Sequence, residues 1–269
     1  MLRFSRFAVR WRSRARARAW RGELHLIPDV PSPALGNRHS LIVSTPASYR
    51  TGDRRYPVVY MQDGQNLFDP RTSFAGDWGL STALGWASRR GIEPIVVGIY
   101  NAGKARFDEY SPFVEPGTGG GAGDRYLEFL MTTVKPLVDG RFRTLPGREA
   151  TGIAGSSLGG LLSLYAFFRL QAVFGFVGAL SPSLWFGNEA IFDVVARSSP
   201  APAGRIYVDI GLREGERHVM LARKMRDLLI ARGFEPRRTL RYVEDTDGAH
   251  READWGRRFR KALPFLLRP

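Results

Sequence analysis

Residues 155–159 read GSSLG, a serine with one glycine two positions before it and another two positions after it, between a short apolar run and a longer helix-favouring one. That spacing suits nucleophilic catalysis. A serine at the tip of a tight strand-to-helix turn has a strained backbone, and its close neighbours must be small for the turn to form. Gly155 and Gly159 supply the room, and a helix beginning near Leu158 aims unsatisfied N–H groups and its positive dipole end at the reacting oxygen. Ser157 is then the nucleophile, and Ser156 occupies the variable position of the motif. A chain with 30 glycines can form such a string in any flexible loop, so its value depends on its context. Residues 151–154 suit a buried strand and residues 158–170 a helix.

Ser157 cannot attack a carbonyl efficiently at its free pKa. It needs a base within hydrogen-bond reach and an acid to orient that base. Of four histidines, His25 and His39 precede the serine and His218 begins a helical pattern. His250 lies in DTDGAH, after the last strand pattern and before the final helix, where α/β folds gather active groups. It is the expected general base. Two acids lie between serine and base: Asp209 within the strand pattern IYVDIG, and Glu214 in the loop that follows it. Glu214 is preferred because a loop side chain reaches across more readily; Asp245 and Asp247 suit local turn bonds near His250. An oxyanion hole needs a second backbone donor besides the Leu158 N–H, and the Asp-Gly turn after an early strand offers Gln65. Trp78, Tyr110 and Trp185 are expected to wall an apolar substrate pocket, with core packing as the alternative for each.

These residues require a scaffold of alternating elements. Strand patterns fall at residues 40–44, 57–61, 95–99, 176–180, 206–210 and 240–243, and helix patterns at 78–88, 125–138, 158–170, 189–196, 218–231 and 251–267. The alternation predicts an α/β fold with a largely parallel sheet covered on both faces. The loop at residues 117–124, GTGGGAGD, lacks the Lys-Ser/Thr ending of a phosphate cradle and has no clear strand immediately before it, so it reads as a flexible connection.

Bulk properties set the outer bounds. At 269 residues with 43% hydrophobic content, the chain can bury a substantial core as one unit. With no cysteine, disulfides, thiolate chemistry and cysteine-ligated zinc are excluded. The formal charge of +14 is uneven: residues 1–22 carry eight arginines and no acidic residue. This divides the chain into an Arg-rich arm at 1–22 and a catalytic domain at 23–269. A solvated arm is the simpler expectation, with an amphipathic helix or contact with nucleic acid or an anionic membrane as the alternative. The arm has no clean apolar core of the secretory kind, which favours the cytoplasm over secretion, and no apolar run is long enough to span a membrane.

The chain resembles the esterase family of the α/β-hydrolase superfamily, with its enterochelin esterase, esterase D and feruloyl esterase relatives. The resemblance is carried by LGNR at 35–38, YPVVYMQDGQNLFD at 56–69, DWG at 77–79, RFDEYSPF at 106–113, YLEFL, VKPLVD, GSSLGG, SPSLWF at 181–186 and GAHREADW at 248–255. It implies an α/β-hydrolase fold, a small-molecule ester substrate, no cofactor and no metal, with Ser157 as nucleophile, His250 as base and Glu214 as acid. Leu212, where many relatives have a small polar residue, and Arg251, in place of a common asparagine, depart from the family pattern. The rival functions are acyl transfer on the same fold and a basic binding protein that uses the arm.

Overall fold

In the computed structural model, which describes residues 20, 22–73, 76–198 and 204–268, the order of apolar runs becomes a sheet of eight strands. They are β1 (Glu23–Ser32), β2 (Asn37–Thr45), β3 (Val58–Met61), β4 (Ile95–Ile99), β7 (Thr151–Ser156), β8 (Phe176–Leu180), β9 (Arg205–Gly211) and β10 (Leu240–Asp245), in spatial order β1-β2-β4-β3-β7-β8-β9-β10. A hairpin of β5 (Val114–Glu115) and β6 (Gly119–Gly120) stands apart. The pairs from β4 through β10 are parallel. β1 and β2 add an antiparallel edge that the sequence pattern did not separate from the rest.

The parallel strands have side chains buried on both faces, which is why they read as continuous apolar runs. Successive residues still point to opposite layers: Val58 and Tyr60 of β3 join one core cluster, and Val59 and Met61 join the other. The first layer contains α3 (Gly123–Phe129), a π-helical turn (Leu130–Val134), α4 (Lys135–Arg141), α5 (Leu158–Arg169), α6 (Ile191–Arg197) and α7 (Glu216–Ala231). The second contains α1 (Leu80–Ser88) and α8 (Glu252–Leu266). A short α2 (Arg106–Glu109) precedes the hairpin.

The expected helix at 125–138 lengthens to 123–141 around its π-helical turn. β1 escaped the pattern because Pro28 and Pro31 interrupt it, Asp29 takes φ 52°, and its register shifts between Ile27 and Val30. The arm at 1–22 falls almost wholly outside the described residues. Among those residues no helix is long and apolar enough to cross a membrane.

Candidate active site

β7 is buried along its whole length and ends in the turn that the glycines foretold. Ser157 has φ 56° and ψ −122°, a conformation that costs an L-residue on the order of 1–3 kcal/mol. Its surroundings enforce it: the Ser157 N–H donates to the Leu180 carbonyl at 3.0 Å, and its carbonyl accepts the Ser183 N–H at 3.0 Å. A Cβ on Gly155 would lie 2.7 Å from the Gly159 carbonyl carbon and 2.2 Å from the Gln62 side chain, so only glycine lets the helix start turn back onto the strand.

His250 Nε2 lies 3.0 Å from Ser157 Oγ, and His250 Nδ1 lies 2.7 Å from Glu214 Oε2. An ionised carboxylate only accepts hydrogen bonds, so Nδ1 donates to Glu214 and the neutral ring presents Nε2 as an acceptor to the serine hydroxyl. The imidazole also packs edge-on against Trp255, with ring centroids 4.8 Å apart. Glu214 ends a single 3-10 turn (Leu212–Glu214) after β9. Its other oxygen, Oε1, accepts the Gly211 N–H at 2.9 Å and the Ser181 hydroxyl at 2.6 Å. Burial pushes this carboxyl up, but hydrogen bonds from His250 and Ser181 outweigh it and hold the group below the usual glutamate range.

The other acids serve elsewhere. Asp209 is fully buried in β9, where Oδ1 accepts the Ser181 N–H at 3.1 Å, and burial pushes its carboxyl up to about 7. Asp245 pairs with Arg257 at 2.8 Å and Asp247 with Arg213 at 2.9 Å. His25 lies 3.3 Å from Thr45 Oγ1, and His39 sits at 2.9 Å from the Tyr100 carbonyl, both remote in the fold from Ser157. His218 is on the first turn of α7.

On the other side of the elbow, β3 pairs with β7 so that Met61 lies beside Ala154, which brings residues 62–66 alongside the serine. Gln65 lies in a 3-10 turn (Gly64–Asn66) that packs directly on β4: a Cβ on Gly64 would lie 2.5 Å from the Gly98 carbonyl carbon. Asp63 enters this turn with φ 53°, its N–H donates to the Tyr110 hydroxyl at 3.0 Å, and its carboxylate receives Arg106 Nε and Nη2, both at 2.8 Å. Thr72 donates to the Gln65 carbonyl and the Asn101 N–H to its side chain. The N–H groups of Gln65 and of Leu158, the first residue of α5, have no acceptor among the described residues. They are donors free to meet a ligand oxygen.

The pocket expectation needs correction for two residues. Tyr110 has no exposed surface, and its hydroxyl is spent on Asp63. Trp78 is 5% exposed and packs against Trp255 and Phe259. Both are core residues, because each large ring finds more apolar partners inside than a cleft wall offers. Trp185 is half-buried, two residues beyond Ser183, whose hydroxyl lies 3.2 Å from that of Ser157. Leu212 is exposed beside Glu214, and Arg251 turns to Asp254 at 2.7 Å. Ser181, Ser183, Asp63, Arg106 and Arg258 crowd the same end of the sheet without having been singled out by type. Among the described residues no group of three or more His, Asp or Glu side chains is placed to hold a metal ion.

The family described as "Putative esterase" matches residues 32–266. The chain is 30% identical over 196 residues to the Bacillus subtilis uncharacterized protein YbbA, covering 71% of this chain and 74% of that protein. It is 32% identical over 170 residues to the Aspergillus fumigatus siderophore triacetylfusarinine C esterase, covering 58% of this chain and 55% of that one. The fold is similar to that of an IroE-like serine hydrolase from Shewanella oneidensis, with a TM-score of 0.73 at 20% identity over 90% of this chain and 80% of that one.

Proposed function

The chain belongs to the esterase family and hydrolyses esters, and from that premise we propose that Ser157, His250 and Glu214 form its catalytic triad. One observation carries the reading: a serine on a strained elbow, an imidazole at 3.0 Å and a buried carboxylate at 2.7 Å stand in line. His250 Nε2 takes the Ser157 proton as Oγ attacks the ester carbonyl, and Glu214 stabilises the imidazolium that forms. The N–H groups of Leu158 and Gln65 receive the developing oxyanion. His250 then gives its proton to the departing alcohol, and water, deprotonated by the same imidazole, releases the acid from the acyl-enzyme. The substrate is a small-molecule carboxylic ester, with Trp185 beside its binding cleft. An apolar or aromatic acyl group suits that half-buried indole.

The test is hydrolysis of a p-nitrophenyl ester panel, together with a feruloyl ester and triacetylfusarinine C, by the wild type and Ser157→Ala. Wild-type turnover that drops by a factor on the order of 10⁴ or more in the alanine variant is expected. A fluorophosphonate adduct should map to Ser157 by mass spectrometry. Labelling at another serine, or full activity in Ser157→Ala, ends the reading.

A further inference from the structure

We propose that Arg258, a buried arginine of α8, is a positioning residue for ester hydrolysis, holding the Glu214 carboxylate ionised and turned so that Oε2 meets His250. The proposal rests on the triad reading and extends it one layer beneath the surface.

Arginine is almost never fully buried unless paired, yet Arg258 is 1% exposed. Its fork meets three carboxylates: Nη2 lies 3.3 Å from Glu214 Oε1, Nε lies 3.3 Å from Asp209 Oδ1, and Nη1 lies 3.9 Å from Asp245 Oδ2. Asp245 already has Arg257 at 2.8 Å. Arg258 is therefore the cation closest to both fully buried acids, Asp209 and Glu214. Two uncompensated carboxylates at that depth do not both stay ionised.

The same arginine sets direction as well as charge. Ser181, held at φ 41°, has a hydroxyl oxygen that accepts Arg258 Nη2 at 2.6 Å and Trp255 Nε1 at 3.0 Å. With both lone pairs occupied, its single proton goes to Glu214 Oε1 at 2.6 Å. Together with the Gly211 N–H, these donors saturate Oε1 and leave Oε2 for the imidazole. The charged and titratable groups around this cluster are Asp209 and Tyr207 from β9, Glu214 from the loop after it, Asp245 at the end of β10, His250 from the next loop, and Asp254 and Arg257 from α8, while Arg213 and Asp247 pair with each other at the exposed surface. None of them takes the place of the guanidinium between Asp209 and Glu214.

The experiment compares pH profiles of kcat/KM, on one p-nitrophenyl ester, for wild type, Arg258→Gln, Arg258→Lys, Ser181→Ala and Glu214→Gln. Removing a buried cation makes protonation of the acid side easier, so the acidic limb in Arg258→Gln is expected to move up by about one pH unit or more. Its kcat is expected to fall about tenfold or more, with KM little changed. Arg258→Lys should return the limb to its wild-type position while kcat stays reduced, since an ammonium lacks the fork. An unmoved limb in Arg258→Gln overturns the proposal, whatever the loss of amplitude, because a purely structural defect lowers the profile without shifting it. Should the glutamine chain not fold, Ser181→Ala decides: a lowered kcat with an upward limb shift supports the relay to Oε1, and a wild-type profile overturns it. Full activity in Glu214→Gln would sink the triad reading itself. Its loss beside an unshifted Arg258→Gln would sink only the role of Arg258.

Discussion

The loops after β9 and after β3 flank the same elbow and work in opposite ways. The β9 loop presents a side chain, the Glu214 carboxylate, held from below by Gly211, Ser181 and Arg258. The β3 loop engages its side chains in a brace, Asp63 receiving Arg106 and Gln65 accepting from Asn101, and leaves the Gln65 N–H without an acceptor among the described residues. From the first turn of α8, Glu252 adds to this brace by accepting Asn66 Nδ2 at 3.4 Å. The contrast teaches that one site can place its charge by side-chain identity and its dipoles by backbone path. The two kinds of placement fail under different substitutions.

If the β9 loop acts through its side chain, Glu214→Gln should cost the most. Steady-state kinetics should show kcat reduced on the order of 10³–10⁴-fold with the fold intact by circular dichroism. If the β3 loop acts through its backbone, the matching lesion is steric. Gly64→Ala drives a methyl into the Gly98 backbone, displaces the Gln65 N–H and should reduce kcat about a hundredfold, although no reacting side chain has changed. Asp63→Asn sharpens the distinction: it removes the charge that pairs with Arg106, so urea denaturation should show a loss of about 1.5–3 kcal/mol, with a smaller effect on kcat than either change above.

The smallest effect separates two acids on the β9 side. The folded-state pKa of Asp209 is raised to about 7 from an ordinary 3.8, so its contribution to stability is complete below pH 3.8 and is lost as pH rises toward 7. Glu214 runs the other way: its folded value is lowered, so its contribution is present above its ordinary 4.5 and is lost as pH falls. Thermal melts between pH 5 and pH 8 should therefore show a shallower fall for Asp209→Asn than for the wild type. An unchanged slope would mean that Asp209 is already ionised across that window.

Side-chain chemistry was legible in the sequence, and backbone and buried-charge chemistry much less so. The glycines pointed to Ser157, and places after the last strands pointed to His250 and Glu214, three side chains that the fold brings within hydrogen-bond reach of one another. Gln65 was suggested only by its position after an early strand. Arg258 left no signal, because in RRFRK it looks like one more solvated cation of a charged helix face. Only the packing of α8 against β8 and β9 turns that position inward. Trp78 and Tyr110 misled for the reverse reason: a large ring near a reactive loop has the same appearance whether it lines a cleft or fills a core. Of the fold, the parallel strands were readable from their double-sided burial, whereas β1 was hidden by its own prolines.

Those prolines have a consequence for how the molecules keep apart. Among the described residues β1 is the outermost strand on its side of the sheet, where a neighbouring copy could dock strand to strand. Two of its ten residues lack an N–H to offer, Asp29 bends the path, and the register slips halfway along. An incoming strand would meet a broken row of donors on a crooked rail. The edge is guarded against edge-to-edge stacking, and a chain straightened there, for instance by Pro28→Val with Asp29→Thr, should lose that guard and aggregate at lower concentration.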